Sequence, residues 1–194
     1  MFGYLEGKLV GLTPTHTYLD VAGVGYDIQI TLNTYELISG KESCLLYTHL
    51  QVREDGWVLY GFATEAERET FRKLLSISGV GSGTSRLILS SLTSQDLSRI
   101  VANGDSKALE KVKGVGGKTA QRIILELKGK LPDAVSPEFN NLPHNTMESD
   151  ALNALLGLGI SKAMAESAIK KANALTGTGV GSVEDLIKTA LKNL

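Results

Sequence analysis

The first sixty residues alternate between apolar and polar positions. In residues 24–32, for example, β-branched or aromatic side chains occupy nearly every second place, and glycines separate this run from similar ones. A period of two is typical of half-buried strands, so the pattern predicts about five short antiparallel strands. Residues 34–39 form a short amphipathic helix in this prediction. Five strands with one inserted helix form the small barrel known as an OB fold.

From Thr64 onwards the apolar period becomes helical. Thr64, Glu65 and Glu67 have the spacing of a capping box, and Phe71 begins an apolar face. The pattern then alternates between helix and turn as far as Leu131. Predicted helices cover residues 65–77, 84–91, 94–103, 106–112 and 117–130.

The rest of the chain contains a polar segment and a short helical tail. The segment carries three prolines and three asparagines, so we expect a flexible linker. Helices are predicted over residues 151–158, 161–175 and 182–194, with Ser161 and Ser182 as N-caps. The predicted fold class is α+β multidomain. Its parts are an OB-fold barrel (1–64), an all-α domain (65–131), a linker (132–147) and a three-helix domain (148–194).

Charge is distributed unevenly along the chain. Residues 1–64 contain three Lys/Arg and seven Asp/Glu, a net charge of −4, whereas residues 65–135 contain twelve and eight, a net charge of +4. The remaining residues carry −1. A basic middle between acidic or neutral ends indicates a polyanionic partner that meets the middle.

Composition excludes several classes of protein. No apolar stretch approaches the roughly 20 residues of a membrane span, and the N-terminus does not resemble a secretory signal. The single Cys44 excludes an internal disulfide, so we expect a cytoplasmic protein. His16, His49 and His144 lie far apart, and neither a metal nor a cofactor is predicted.

A glycine motif occurs twice in the basic middle. Gly79-Val80-Gly81 and Gly114-Val115-Gly116 lie 35 residues apart, and each precedes an apolar helix. Each copy predicts a helix, a sharp turn and a second helix whose first N–H groups face outward. Such a helix start binds phosphate oxygens through those N–H groups and the positive end of the helix dipole. Because no base edge is read in this way, binding should not depend on DNA sequence.

Three motifs of nucleotide-binding proteins and hydrolases are present only in part. Gly117-Lys118-Thr119 resembles the end of a P-loop, but Val112 occupies the place of its first glycine. Thr84 and Thr119 replace the third glycine of a dinucleotide-binding motif, and neither Ser82 nor Ser182 has the glycines of a nucleophile elbow.

The segment Glu54-Asp55-Gly56 predicts the tip of a β-hairpin, with Asp55-Gly56 as its favoured central pair. An acidic tip repels phosphates, which would help a protein that steers or separates strands.

Taken together, these features resemble the RuvA family, the bacterial subunits that bind Holliday junctions during branch migration. The resemblance covers essentially the whole chain. The segments that carry it are 23–26, 52–55, 59–62 with Glu67-Arg68, 79–81 and 114–120.

The resemblance implies a function in DNA recombination and repair, including the SOS response to DNA damage. A homotetramer, singly or as two tetramers, would hold a four-way junction open and square. The RuvB hexamer would supply the ATPase motor, and the RuvC resolvase would be a further partner. The chain itself would have no catalytic residue, although such a subunit is sometimes classed with the helicase it serves.

The resemblance also implies roles for particular residues. Glu54 and Asp55, with Arg53, would form an acidic pin at the junction centre. Leu155, Leu158 and Ile160 would bind the motor. The residues expected to bind the DNA backbone are Gly79, Gly81, Gly83, Thr84, Gly114, Gly116, Lys118, Thr119 and Arg122.

One departure from the family concerns the first glycine motif. Family members often have Pro-Lys where this chain has Ser82-Gly83, so one basic phosphate contact is missing. The first motif should therefore contribute less affinity and less salt dependence than the second.

Two other functions remain open at this point. A DNA glycosylase or lyase could use Lys118 as its nucleophile, with Asp133 as the nearest candidate partner. An adaptor could instead stack single-stranded bases on barrel tyrosines. The tyrosines available for this are Tyr4, Tyr18, Tyr26 and Tyr47, although their period-two placement among valines and isoleucines favours core and strand packing.

Overall fold

The computed structural model describes residues 2–54, 56–131, 147–176 and 182–193. The chain divides into two compact units at residue 136. Unit 1 contains the strands and the first six helices, and unit 2 contains the last three helices described. Asp55, Asp133 and His144 lie outside the described residues, as does almost all of the predicted linker.

Unit 1 begins with a closed five-stranded barrel, which confirms the predicted fold class. Its strands are β1 (Tyr4–Val10), β2 (His16–Val21), β3 (Val24–Ile30), β4 (Ser43–Arg53) and β5 (Gly56–Phe62). They pair around the barrel in the order β1-β2-β3-β5-β4. The helix α1 (Leu32–Ile38) lies between β3 and β4 along the chain.

The prediction of antiparallel strands is wrong at one pairing. Strands β3 and β5 run parallel, with Ile28 opposite Leu59 and Ile30 opposite Gly61. A closed ring with an odd number of strands cannot alternate direction at every step, so a five-stranded barrel must contain a parallel pair. The chain reaches this pairing through α1 and β4.

The barrel interior is built from the alternating apolar positions. The buried residues that form this core are Leu5, Leu19, Ile28, Ile30, Ile38, Leu46 and Leu59. Helix α1 begins at Leu32, two residues earlier than predicted, because Thr31 is its N-cap and accepts a hydrogen bond from the Thr34 N–H at 3.0 Å.

Five further helices complete unit 1. They are α2 (Glu65–Leu75), α3 (Ser82–Ser91), α4 (Ser94–Asn103), α5 (Ser106–Glu110) and α6 (Gly117–Leu127). Phe71 lies in their shared core, and its ring centroid is 5.0 Å from that of Tyr60 and 4.9 Å from that of Phe62. Because both partners belong to β5, the barrel and the helices of unit 1 share a core.

Glu67 provides a polar connection between α2 and the N-terminal end of α1. Its carboxylate accepts hydrogen bonds from the hydroxyls of Thr31 at 2.5 Å and Thr34 at 2.7 Å. Burial raises the pKa of Glu67, and these two hydrogen bonds oppose the increase. The capping box predicted from the sequence is present in part, since the Thr64 hydroxyl accepts from the Glu67 N–H while the Glu67 side chain binds the start of α1.

Unit 2 is a three-helix arrangement within the described residues. Its helices are α7 (Met147–Gly157), α8 (Lys162–Thr176) and α9 (Val183–Lys192). Ser182 is the N-cap of α9, as predicted, and accepts from the Asp185 N–H at 3.2 Å. The core of this unit consists of small and branched residues, which are Ala151, Leu155, Ala165, Ala168, Ile169, Ala172, Leu186 and Ala190.

Candidate nucleic-acid interface

The two glycine motifs have nearly the same backbone geometry. Gly79 and Gly114 have φ values of +86° and +90°, in the left-handed region that favours glycine. Gly81 and Gly116 are extended, with φ values of −88° and −86°, and each is an N-cap. The sequence repeat is therefore also a structural repeat.

The valine between each pair of glycines points into the core. Val80 and Val115 are buried, and their N–H groups bond to the carbonyls of Ile77 and Val112, both at 3.0 Å. These contacts fix the direction in which the chain enters α3 and α6.

The starts of α3 and α6 are exceptional among the six helices described in unit 1. Each of the other four has an N-cap side chain that bonds to a backbone N–H of its first turn. Gly81 and Gly116 offer no such side chain. The first N–H groups of both helices therefore remain available for an anion.

Basic side chains lie mainly at the second motif. Lys118 is exposed at the second residue of α6, and Arg122 lies one turn further on. Their counterparts in the first motif, 35 residues earlier, are Gly83 and Leu87. Gly83 is exposed, and a Cβ added there would meet no atom within 4 Å. The first motif therefore lacks both cations, although Thr84 and Thr119 occupy equivalent positions.

Arg122 also connects the two motifs. Its Nη1 donates a hydrogen bond to the carbonyl of Ser78 at 2.9 Å, just before the first glycine turn. The guanidinium retains further N–H groups for an anion. Arg122 thus holds the two hairpins together, a contact that the sequence did not reveal.

The hairpin of β4 and β5 contacts the first motif. Nη2 of Arg53, the last residue of β4, donates to Oγ of Ser82, the first residue of α3, at 3.1 Å. Ser82 is buried. A guanidinium therefore lies beside the helix start that has no lysine of its own. No local sequence pattern at Ser82 indicates this contact.

The position of the hairpin turn differs from the prediction. Arg53 and Gly56 are register partners, so Gly56 belongs to β5 and is not one of the two central turn residues. Glu54 lies in the turn and is exposed. The acidic residue Asp55 predicted at this tip lies outside the described residues.

The residues predicted to bind a motor occupy three different environments in unit 2. Leu155 is 0% exposed and belongs to the core, whereas Leu158 is 63% exposed beyond the end of α7. Ile160 is partly buried against the core, and its N–H bonds to the Leu155 carbonyl at 3.1 Å. Of the three side chains, Leu158 presents the most surface to a partner.

The residues on which the two other functions depend are described only in part. Lys118 is exposed, and its proposed partner Asp133 is not among the described residues. The expectation of core packing is wrong for Tyr4 and Tyr18, which are exposed. Tyr26 is partly buried and packs against the barrel core, and Tyr47 is partly buried. Tyr47 lies under the guanidinium of Arg68, whose carbon is 5.5 Å from the ring centroid.

The described residues contain neither a membrane-spanning helix nor a cluster of metal-ligating side chains. No helix there is long and apolar enough to cross a membrane. In the same residues, no group of three or more His, Cys, Asp or Glu side chains is placed to hold a metal ion.

Three known domain families together match almost the whole chain. Residues 1–61 match the RuvA N-terminal domain, residues 71–130 match the SAM-like helix-hairpin-helix tandem, and residues 146–194 match the RuvA C-terminal domain. The two glycine motifs described above fall within the second match.

Three relatives that match this chain over its full length have the same name. The chain is 42% identical over 195 residues to the Holliday junction branch migration complex subunit RuvA of Christiangramia forsetii, with 100% of both chains covered. It is 42% identical to the subunit of that name from Porphyromonas gingivalis, again with 100% of both chains covered. The subunit from Methylibium petroleiphilum is 44% identical, with 100% of this chain and 99% of the relative covered.

Proposed function

This chain belongs to the RuvA family, and we propose that it binds four-way DNA junctions, holds their arms apart and recruits a motor for branch migration. The observation that carries this proposal is the pair of uncapped helix starts at Gly81 and Gly116. Two equivalent anion sites suit the regularly repeated phosphates of a DNA arm.

Within this function the two motifs have unequal roles. The second motif contacts phosphates through the first N–H groups of α6 and through Lys118 and Arg122. The first motif relies on the N–H groups of α3, with Arg53 as the nearest cation. Because none of these groups reads a base edge, the chain binds junctions of any sequence.

The acidic turn, which is the β4–β5 turn that carries Glu54, acts where the arms of the junction meet. Four-fold symmetry of a junction favours a homotetramer, which would bring four copies of Glu54 towards the crossing. Carboxylates repel phosphates, so they keep the backbones apart while strands pass from arm to arm. One or two tetramers on each junction are both compatible with this arrangement.

The motor function belongs to a partner in this proposal. Unit 2 would offer Leu158, with Ile160 beside it, to the RuvB ATPase, while Leu155 supports that surface from the core. The RuvC resolvase would act on the same junction, and the complex would work in the cytoplasm in recombination and in DNA repair.

The direct test is a gel-shift measurement with a synthetic four-way junction, a linear duplex and a single strand of matched length, each at two salt concentrations. We expect a clear preference for the junction over both other DNAs. Lys118→Ala should weaken binding and lower the slope of log K against log salt by about 0.9 per chain. Lys170→Ala, which removes an exposed lysine from unit 2, is the matched control.

Other outcomes would favour a different function. Equal affinity for junction and duplex would reduce the chain to a general DNA binder and would contradict the role of the acidic turn. Covalent trapping of Lys118 on a lesion duplex with borohydride would indicate a lyase. Stronger binding to the single strand would favour base stacking on the barrel.

A further inference from the structure

The β4–β5 hairpin extends beyond the barrel, and one of its faces carries an apolar pair. Leu50 and Leu59 are register partners that contribute to the barrel core. Two residues nearer the turn, Val52 and Trp57 are register partners and continue the same face, because side chains alternate along a strand. Val52 is 62% exposed and Trp57 is 74% exposed.

The opposite face of the hairpin is covered by the helices of unit 1. Val58 packs against the core of α2 to α6, and Arg53 bonds to Ser82 at the start of α3. These contacts hold the stem, so Trp57 projects from an anchored element. Nothing within the described residues covers the Val52–Trp57 pair.

The size of the pair indicates what kind of group would cover it. A stable protein interface buries about 800 Å² on each partner, which two side chains cannot provide. An indole ring beside a valine instead matches the face of a single base or base pair. Stacking of a base on an aromatic side chain is sequence-tolerant, because every base has a π-face.

The surrounding charge favours a base over the DNA backbone. Glu54 lies between this pair and the end of the hairpin, and its carboxylate repels phosphates. A base is uncharged and carries no such penalty. On the other face of the same stem, Arg53 lies at a helix start that offers N–H groups to a phosphate. The hairpin therefore has one face suited to backbone and one suited to bases.

We infer that Val52 and Trp57 form a base-stacking platform that packs against the bases exposed where the arms of a DNA junction meet. Bases inside a continuous duplex arm are stacked on both sides and offer no free face, whereas the end of a stack at a crossing does. The platform therefore distinguishes a junction from a linear duplex. This inference rests on the proposed junction-binding function and adds a second contact to it.

The full-length wild-type protein allows a direct test, since Trp57 is its only tryptophan. Tryptophan emission and its quenching by acrylamide are recorded during titration with a four-way junction and with a linear duplex of equal length. We expect the junction to quench and shift the emission and to protect Trp57 from acrylamide. The duplex, at concentrations that saturate binding, should leave both signals close to those of the free protein.

Variants test whether the contact contributes to binding. Trp57→Ala should weaken junction binding by about 5-fold to 150-fold, the range for loss of one stacked base, and leave duplex binding unchanged. Trp57→Phe should keep most of the affinity because it retains a ring. Tyr18→Ala, which removes another exposed barrel aromatic, is the matched control.

Three results would overturn the inference. The first is unchanged Trp57 emission and quenching in a saturated junction complex, which needs no variant and is independent of whether Trp57→Ala folds. The second is equal loss of junction and duplex affinity in Trp57→Ala. The third is protection of Trp57 that grows with protein concentration in the absence of DNA, because a second copy of the chain would then cover the pair. In each case a gel-shift preference for the junction would leave the proposed function standing.

Discussion

Gly83 leaves the first glycine motif without the cation that Lys118 gives to the second. The position is exposed and open, so a longer side chain fits there without a clash. We expect Gly83→Lys to tighten binding to junction and duplex alike and to steepen the dependence of log K on log salt by about 0.9 per chain. Gel shifts at several salt concentrations measure both quantities.

The control for this variant is Gly157→Lys, which adds the same side chain at an open, exposed position in α7. It should change neither the affinity nor the salt slope. An unchanged slope in Gly83→Lys would mean that the start of α3 does not meet a phosphate, and that the first motif contributes little to the interface.

Glu67 makes stability depend on pH through its buried carboxyl. Its folded pKa is raised above the ordinary 4.5 by burial, so the folded state binds the proton more tightly than the unfolded chain does. This contribution to stability is complete below pH 4.5 and is lost as pH rises through the raised folded pKa. The stability of the wild type relative to Glu67→Gln should therefore decrease from acidic to neutral pH.

Urea unfolding of both proteins across this pH range measures the effect. The amide of Glu67→Gln can still accept from one threonine hydroxyl and donate to the other, so the variant keeps the connection but does not titrate. Glu36→Gln, at an exposed position on α1, should show no such trend. A difference between wild type and Glu67→Gln that is constant with pH would contradict the prediction.

At the scale of elements, the two glycines of the second motif should have different roles. Gly114 should matter for the stability of the fold and Gly116 for DNA binding. Gly114 has a φ of +90°, which costs an L-residue roughly 1–2 kcal/mol. Gly116 has a φ of −86°, and a Cβ there would meet no atom within 4 Å. Gly114→Ala should therefore lower the free energy of unfolding by about 1 kcal/mol or more. Gly116→Ala introduces no backbone strain and should cost less, on the order of 0.5 kcal/mol for alanine in place of an N-cap glycine.

The effect on binding should be the reverse. The methyl group of Gly116→Ala would stand at the start of α6, where a phosphate approaches the N–H groups, so we expect weaker DNA binding by a stable protein. Urea unfolding and gel shifts on the same two preparations provide the comparison. Full DNA affinity in Gly116→Ala would show that the helix start is not a contact.

Periodicity predicted that most of the helices and strands exist, but it did not predict how the strands pair or where every helix begins. The strands, α1 and the helices after both glycine motifs all appear in the sequence as runs of period two or 3.6. The parallel pairing of β3 with β5 does not, because it depends on closure of an odd-numbered ring. Helix α3 begins at Ser82, two residues before the predicted start, because an extended glycine rather than a polar side chain is its N-cap.

Within the candidate interface, local motifs were predictable and contacts between distant residues were not. Gly79 and Gly114 could be found because the motif repeats. The hydrogen bond from Arg53 to Ser82 joins residues 29 positions apart and follows from the packing of the β4–β5 hairpin against α3. Burial of Leu155 likewise depends on how α8 and α9 cover α7, which no pattern within α7 reveals.

At the scale of the whole molecule, the proposed function assigns DNA binding to unit 1 and motor recruitment to unit 2. The candidate DNA contacts all lie in unit 1, and Leu158 lies in unit 2 with most of its side chain exposed. Leu158→Asp should leave junction affinity unchanged. It should also raise the concentration of RuvB-type motor needed for junction-stimulated ATP hydrolysis by roughly 30-fold, the effect of losing a 2 kcal/mol contact.

The matched control is Leu191→Asp, which places the same charge on α9 at a position that is 41% exposed. Circular dichroism of both variants shows whether unit 2 remains folded. If Leu191→Asp impairs the motor as strongly as Leu158→Asp does, the loop after α7 is not the contact. If Leu158→Asp weakens junction binding too, the two units do not act separately, because a substitution in unit 2 would then change a function assigned to unit 1.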